Sequence, residues 1–461
     1  MESVNKGTKI SGVFLPKRKT KRREKVGIEK IFLFLSLFFG MIFSFVFPVF
    51  YEGDAQFHFD YSSYQVNTVV DREVIDSNAS FGYSQEFKAI KEGEYLQKYF
   101  RHKLERIPKK QVLDKRAIRN RSLFNDVTHF FPALGVFIGY HIYPSVGSMV
   151  VTARLVMVLV YSVSFYWILK KIYYGKYLFF LTVCTPVMMI EGFSLSYDSP
   201  SLILTLALLS NQFNYIYRKT SSIFYVLLFS FLVLFFAKQN MKVVLILSLI
   251  ILIDKFYKID HLTIIMNKYK KILIPTSILI LIIGYILFSS IYGGFKNFSL
   301  RMINTLLSIQ NEQYTRGVFL GILGDFTASY SLPWWCLYGY AIVFFLSIFG
   351  EKKPKVSPIF SYVGGSLFFI NLFGTTGLYN TFNNSIRQSK DITQVIGGQL
   401  GRYYTPLLPS FIFFQNIFKT HLFLEERLLK KIVVLWTAFC LCLLLFITVY
   451  FCYILKIPAS I

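Results

Sequence analysis

Acidic side chains and a histidine follow directly after the first long apolar run of the chain. Residues 51–60 read YEGDAQFHFD, which includes Glu52, Asp54 and His58. Proton transfer and ion pairing need side chains of these types, whereas anchoring a helix in a membrane does not. The stretch is therefore a candidate for chemistry at a membrane surface, and an ordinary solvated loop is the alternative.

Further charged residues occur where later apolar runs begin or end. Each of them alone is compatible with a snorkelling or loop residue. Carboxylates and cations gathered at one membrane depth are instead typical of a site for an anionic, lipid-borne substrate. The residues are Arg154, Glu191, Asp198, Lys238 and Arg402, the last followed by Tyr403.

Composition predicts a membrane protein. The 461-residue chain is 54% hydrophobic and 18% aromatic, and its apolar runs are long enough to cross a hydrocarbon core of about 30 Å. The formal charge of +25 arises mainly from Lys and Arg in short segments between these runs, as in cytoplasmic loops that face anionic lipid. We therefore expect a multi-pass protein of the cell membrane, with the lipid bilayer as a partner and no nucleic acid.

The basic N-terminal segment, residues 1–29, carries Lys17-Arg18-Lys19 and precedes a first span at 31–50. This span has no small-residue cleavage site, so we expect it to be retained. By the positive-inside rule, the N-terminus is cytoplasmic and the acidic stretch is extracytoplasmic. All the charged candidates are then predicted to lie near the outer leaflet.

A long first extracytoplasmic loop is predicted at residues 51–145. Its basic part, 98–121, predicts amphipathic helices lying on the lipid headgroups. The apolar segment 130–143 is short and contains Pro132 and Gly135, which predicts a re-entrant or interfacial helix, with a full span as the alternative.

About eleven spans are predicted in all, giving an all-α polytopic membrane protein. Leaving 130–143 outside the count keeps most Lys and Arg pairs between spans on the cytoplasmic side. After the first span, the predicted spans are 147–169, 177–195, 200–217, 222–236, 240–253, 272–291, 333–349, 357–373, 403–418 and 431–454.

Several motifs resemble the domain-of-unknown-function 2142 family of bacterial membrane proteins, which is grouped with the GT-C glycosyltransferases. These are the acid and histidine after the first span, the SLSYDS stretch around Asp198, the Ala237-Lys238 turn and, above all, GQLGRYYTPLLP at 398–409. The chain lacks the second acid of the family opening Pro-Asp-Glu-x-x-His-Phe. The resemblance implies a GT-C-like transmembrane domain over residues 30–461 and a polyprenyl-phosphate-linked sugar as donor.

Roles for the candidate residues follow from this resemblance. Asp54 matches the acid that serves as base or metal ligand, with metal identity unknown and a divalent metal left open as a cofactor. Asp198 resembles the second acidic site. Arg402 and Lys238 are expected to bind the donor phosphate, because cations stabilise its developing charge. Tyr403 and Arg154 are assigned to the donor with them, and His58, Glu52 and Glu191 are supporting residues.

Three functions are compatible with the sequence. The first is an extracytoplasmic glycosyltransferase that moves a sugar from the lipid donor to a cell-surface polysaccharide or another envelope glycan. A polysaccharide polymerase or ligase would use similar donors and differ in acceptor or product length. A lipid or sugar flippase would need a polar path through the whole bilayer, which the apolar cytoplasmic halves of the spans do not offer.

Overall fold

The chain is helical throughout the parts that the structure describes. The computed structural model describes residues 26–52, 54–71, 84–108, 122–218, 222–257, 260–291, 293–307, 332–351, 356–382, 401–418, 422 and 424–456. Within these ranges, no β-strand forms, and Val70 and Arg106 make an isolated antiparallel bridge. The basic cluster Lys17-Arg18-Lys19 lies outside the described residues.

Seventeen α-helices are numbered here in chain order over the described residues, with short 3-10 or π-helical turns between some of them. Their bounds are α1 Ile28–Val46, α2 Ala55–Gln65, α3 Ser84–Glu92, α4 Leu123–Thr128, α5 Phe130–Ile142, α6 Val146–Lys171, α7 Lys176–Val183, α8 Pro186–Phe193, α9 Asp198–Arg218, α10 Ile223–Phe236, α11 Leu245–Tyr257, α12 Asp260–Ile291, α13 Phe295–Leu307, α14 Trp334–Gly350, α15 Pro358–Phe382, α16 Phe414–Ile417 and α17 Glu426–Val449.

Four of these helices are long and apolar enough to cross a membrane, and a fifth crossing is added if the bent pair α7–α8 forms one span. The four are Ile28–Val46, Val146–Lys171, the Pro358–Gly377 part of α15, and Glu426–Leu455, which joins α17 to its π-helical end. Other predicted spans also contain helices, but α10 and α14 are shorter apolar helices, as is α5. The structure therefore supports a helical membrane protein, and the count of eleven spans is not confirmed.

The predicted span at 177–195 is broken in its middle. Pro186 stands at the first turn of α8, and the Thr185 hydroxyl accepts a hydrogen bond from the backbone N–H of Met188. Proline lacks the N–H that would continue α7, whereas Thr185 satisfies a free donor at the start of a new helix. The two helix axes consequently differ by 63°. The second helix, α8, carries the candidate residue Glu191.

A tight hairpin joins α5 to α6. Gly135 and Gly139 face α6. A Cβ atom added at Gly135 would lie 2.3 Å from the Ala153 Cα, and one added at Gly139 would lie 2.6 Å from the Met149 Cα. Small residues four apart let two apolar helices approach to backbone contact. The segment 130–143 is thus one helix held against a long span, and at 13 residues it is too short for a regular crossing.

In two of the predicted segments, the local structure is not a continuous α-helix. Residues 403–418, predicted as a span, form 3-10 turns at Gly401–Tyr403 and Thr405–Phe413 before the short helix α16. Pro406 and Pro409 explain this, because each removes a helical hydrogen bond. In the basic segment 98–121, residues 102–108 are not helical and pair with the chain near Val70; residues 109–121 lie outside the described residues.

Candidate functional site

The predicted site residues lie at one end of the helices that carry them. Glu52 and Asp54 lie between α1 and α2, Glu191 lies on α8, and Asp198 begins α9. Lys238 follows α10, and Arg402 lies in the 3-10 turn Gly401–Tyr403. The helix ends therefore bring residues that are distant in the sequence to a common region.

Lys238 and Asp198 form a buried ion pair. The Lys238 Nζ donates to Asp198 Oδ1 at 2.9 Å and to Oδ2 at 3.3 Å. Burial disfavours the lysine charge, but the Asp198 carboxylate outweighs this effect, so the pKa of Lys238 is raised. Lys238 is therefore a permanent cation at neutral pH.

Arg402 lies between Glu191 on α8 and Asp198 at the start of α9. Its Nη1 lies 2.7 Å from Glu191 Oε1, and its Nε lies 4.0 Å from Asp198 Oδ2. Burial disfavours the guanidinium charge, but Glu191, Asp198 and Asp54 together raise the pKa of Arg402. The two cations and three carboxylates thus form one electrostatic network.

The 3-10 turn that carries Arg402 is held by side-chain amides. The Tyr403 carbonyl accepts from Asn240 Nδ2 at 2.8 Å and from Asn371 Nδ2 at 3.2 Å. A short 3-10 turn has few internal hydrogen bonds, so such external donors fix its position. This hydrogen bond accounts for the presence of a polar residue, Asn371, in the middle of the apolar helix α15.

Two tyrosines line the cations. The Lys238 Nζ lies 4.1 Å from the centroid of the Tyr403 ring and 5.2 Å from that of Tyr197, while Arg402 Cζ lies 5.7 Å from the Tyr403 ring. Such cation–π contacts hold a cation without neutralising it. Burial raises the pKa of Tyr197 to about 12, so its hydroxyl stays protonated.

Asp54 differs from the other carboxylates of the site. It precedes α2 with the left-handed backbone angle φ 57°, its side chain is exposed, and among the described residues it forms no ion pair. Its charge nevertheless contributes to the raised pKa of Arg402. Asp54 is thus a solvent-accessible carboxylate beside buried cations.

Arg154 has a different environment from the one expected of a donor-binding residue. Its Nε and Nη2 donate to the two carboxylate oxygens of Glu52, both at 2.7 Å. Its Nη1 donates to the Phe47 carbonyl at 2.9 Å, and Nη2 also donates to the Pro48 carbonyl at 2.8 Å. The side chain is fully buried. We therefore expect Arg154 and Glu52 to lock α6 to the end of α1, in place of a role in phosphate binding.

The side chain of His58, predicted as a supporting residue, makes its hydrogen bond away from Asp54. The two are linked through the backbone, where the His58 N–H donates to the Asp54 carbonyl at 3.1 Å. The His58 side chain instead forms a 2.9 Å hydrogen bond from Nδ1 to Nε2 of His129. His129 was not identified from the sequence, although its position just before an apolar helix was a signal.

Among the described residues, no group of three or more His, Cys, Asp or Glu side chains is placed to hold a metal ion. Glu191 and Asp198 are already paired with cations.

No protein-family model, curated protein or solved structure matches the chain. The resemblance to the domain-of-unknown-function 2142 family and to GT-C enzymes therefore stays a prediction from short motifs.

Proposed function

We propose that the protein is a membrane glycosyltransferase that moves a sugar from a polyprenyl-phosphate donor to an envelope glycan on the outer face of the cell membrane. The observation that carries this proposal is the exposed Asp54, which forms no ion pair within the described ranges and lies beside the buried cations Lys238 and Arg402. A base next to a phosphate-binding pair is what sugar transfer from a lipid phosphate requires.

The cations are suited to hold the donor phosphate. Arg402 carries five N–H donors in a planar fork that matches two phosphate oxygens, and Lys238 adds a second positive charge. Glu191 and Asp198 hold these side chains in place through the ion pairs described above. A phosphate would join this network as a further anion, so its binding depends on donors that the carboxylates do not use.

In the proposed reaction, Asp54 accepts the proton of an acceptor hydroxyl as its oxygen forms a bond to the anomeric carbon of the donor sugar. The bond from that carbon to the phosphate oxygen breaks, and the phosphate leaves as an anion stabilised by Arg402 and Lys238. Tyr197 and Tyr403 flank the Lys238 ammonium group with their rings.

The test is direct binding of undecaprenyl phosphate to purified protein in nanodiscs. Arg402→Lys keeps the charge and loses the fork, so we expect intermediate affinity; Arg402→Ala and Lys238→Ala should bind at least about tenfold more weakly. Lys242→Ala, one turn after Lys238, is the matched control and should bind like wild type. Folding of each variant is checked by its thermal unfolding midpoint.

Equal affinity across wild type and all folded variants would reject the site. Binding that is normal, together with formation of long products from one acceptor, would assign the protein to the polymerase or ligase class instead. Movement of the lipid across a vesicle membrane without sugar transfer would assign it as a flippase.

A further inference from the structure

Two hydrogen bonds join a backbone carbonyl to two histidine rings, and the second ring contacts a tyrosine of the candidate site. The Asn125 carbonyl oxygen lies 2.8 Å from His129 Nδ1, and His129 Nε2 lies 2.9 Å from His58 Nδ1. The His58 ring then contacts the ring of Tyr197 at 4.9 Å, and Tyr197 contacts Lys238. His58 thus connects the external helices α2 and α4 to the cations.

The donors and acceptors of these two hydrogen bonds fix both tautomers. A carbonyl oxygen only accepts, so His129 Nδ1 carries the proton, and a neutral His129 then has a bare Nε2. His58 Nδ1 must donate to that nitrogen. A neutral His58 is therefore left with a bare Nε2, on the side of its ring away from His129.

The surroundings of both rings favour the neutral form. Burial, the neighbouring His129 and the charges of Lys238 and Arg402 hold the pKa of His58 well below its usual value. Burial lowers the pKa of His129 to about 4, although its bond to Asn125 and the charge of Asp126 act in the opposite direction. Both histidines are consequently neutral at pH 7.

We infer that His129 acts as a positioning residue that holds His58 with its bare Nε2 in the site, where it accepts a hydrogen bond from a hydroxyl group of the bound sugar. This inference rests on the proposed function for the identity of the ligand. The tautomer itself follows from the two hydrogen bonds and is independent of any ligand.

A fixed acceptor of this kind would select among sugars. A site that is built around a hydroxyl leaves a buried polar atom without a partner when the hydroxyl is absent, and this lowers affinity. His58 is thereby distinguished from Asp54: the buried neutral imidazole accepts a hydrogen bond, while the exposed carboxylate accepts the proton.

The first measurement is nitrogen NMR of protein labelled with ¹⁵N-histidine, without ligand, at pH 7. We expect His58 to carry its proton on Nδ1 and to show an unprotonated Nε2, with the signals assigned by their loss in His58→Gln. His129 should also be protonated on Nδ1. A proton on His58 Nε2 would overturn the inference.

Variants of His129 separate positioning from simple packing. His129→Gln retains an amide oxygen that can accept from His58 Nδ1, so the His58 tautomer should be kept; His129→Leu fills space without accepting, and the tautomers of His58 should mix. His141→Gln is the control. His141 is exposed, and its Nδ1 hydrogen-bonds the Phe137 carbonyl, away from the hydrogen bond between His129 and His58. An unchanged His58 spectrum in folded His129→Leu would contradict the positioning role.

The ligand arm compares undecaprenyl phosphate with undecaprenyl phosphoglucose and undecaprenyl phosphomannose. A sugar-bearing probe that binds should shift the His58 Nε2 resonance, and undecaprenyl phosphate alone should not; His58→Leu should bind that sugar-bearing probe about tenfold more weakly. A sugar-bearing probe that binds and leaves Nε2 unmoved would overturn the hydroxyl assignment, and so would a protein that binds undecaprenyl phosphate but neither of the sugar-bearing probes. Failure of all three probes would reject the proposed function, while the NMR of the ligand-free protein would still decide the histidine chain.

Discussion

At the scale of single residues, the division of labour among the acids follows from their partners. Glu191 and Asp198 are paired with Arg402 and Lys238, so their charge is used to hold the cations. Asp54 has no such pair among the described residues and is exposed. Because its oxygens are not held in an ion pair among the described residues and can be reached from solvent, Asp54 is the proposed base.

Replacing Asp54 with Asn removes the charge and the basicity but retains the size of the side chain. We expect the rate of sugar transfer to fall at least ~10²-fold, with normal folding, because a general base contributes on the order of 10² to 10⁴. The control is Glu94→Gln, which changes an exposed acid shortly after α3. Transfer at the wild-type rate by Asp54→Asn would exclude Asp54 as base and turn attention to Asp198.

The histidine chain predicts a pH dependence of stability. His58 and His129 have lowered pKa values when folded, so between pH 6.5 and about 4 the unfolded chain binds more protons than the folded one. Stability should therefore fall as pH falls through this window, by on the order of 3 kcal/mol for His129. Thermal unfolding in detergent at several pH values measures it.

The matched comparison is between two variants. In His58→Gln/His129→Gln, the acid loss of stability should be smaller than in wild type, since the titrating groups are gone. His141→Gln should keep the wild-type dependence, because exposed His141 hydrogen-bonds the Phe137 carbonyl and takes no part in the contact between His58 and His129. If the double variant loses stability on acidification as steeply as wild type, the carboxylates of the site account for the effect.

At this scale the sequence was a good guide to residue types and a poor guide to their partners. The charge and position of Glu191, Asp198, Lys238 and Arg402 predicted their grouping, which the structure shows. The pairing of Glu52 with Arg154 and the contact of His58 with His129 span more than seventy residues of sequence. A pattern in a single sequence carries no information on such distances.

At the scale of elements, the site depends on helices that end or break in the correct places. Pro186 breaks the α7–α8 pair, and two asparagines fix the turn of Arg402. The apolar runs predicted where helices lie, because hydrophobic length is a strong signal. The 3-10 structure of 403–418 was missed, although Pro406 and Pro409 marked it.

The α5–α6 hairpin gives a test of element packing. Gly139→Ala would place a Cβ 2.6 Å from the Met149 Cα, a backbone atom that cannot move away alone. We expect a loss of about 1–3 kcal/mol in stability, as for other overpacked sites. The readout is the thermal midpoint in one detergent.

Gly284→Ala is the matched control, since within the described part of the chain no atom outside the neighbouring turns of its own helix lies within 4 Å of the added Cβ. It should leave the midpoint unchanged or raise it slightly, because alanine favours helix over glycine. Equal midpoints for Gly139→Ala and Gly284→Ala would show that the hairpin tolerates separation of its helices.

At the scale of the whole molecule, polar clusters lie at both ends of the long helices. The candidate site contains Asp198 at the start of α9, while the far end of α6 is tied to α9 by a hydrogen bond from Asn214 Nδ2 to the Lys171 carbonyl at 3.1 Å. At a further junction, the Glu351 carboxylate accepts the backbone N–H groups of Gly175 at 2.8 Å and Tyr177 at 3.0 Å. The proposed chemistry needs the site end to face outward.

Orientation can be measured by cysteine labelling of whole cells. In a Cys442→Ser background, which removes the exposed native thiol, Glu94→Cys should react with a membrane-impermeant reagent and Arg427→Cys should not. The physical reason is the basic N-terminus, which the positive-inside rule keeps in the cytoplasm. Labelling of Arg427→Cys alone would reverse the proposed topology and place the site on the cytoplasmic face.

The buried pair of Glu52 and Arg154 has a consequence for the biogenesis of the protein. An unpaired arginine is expensive in a lipid environment, and Arg154 is synthesised long after α1 and Glu52. Glu52 is therefore already present when α6 leaves the ribosome, and we expect the ion pair to favour α1 as the neighbour of α6 during insertion. Loss of Glu52 should reduce the amount of protein that escapes quality-control proteolysis, even where the mature site is intact.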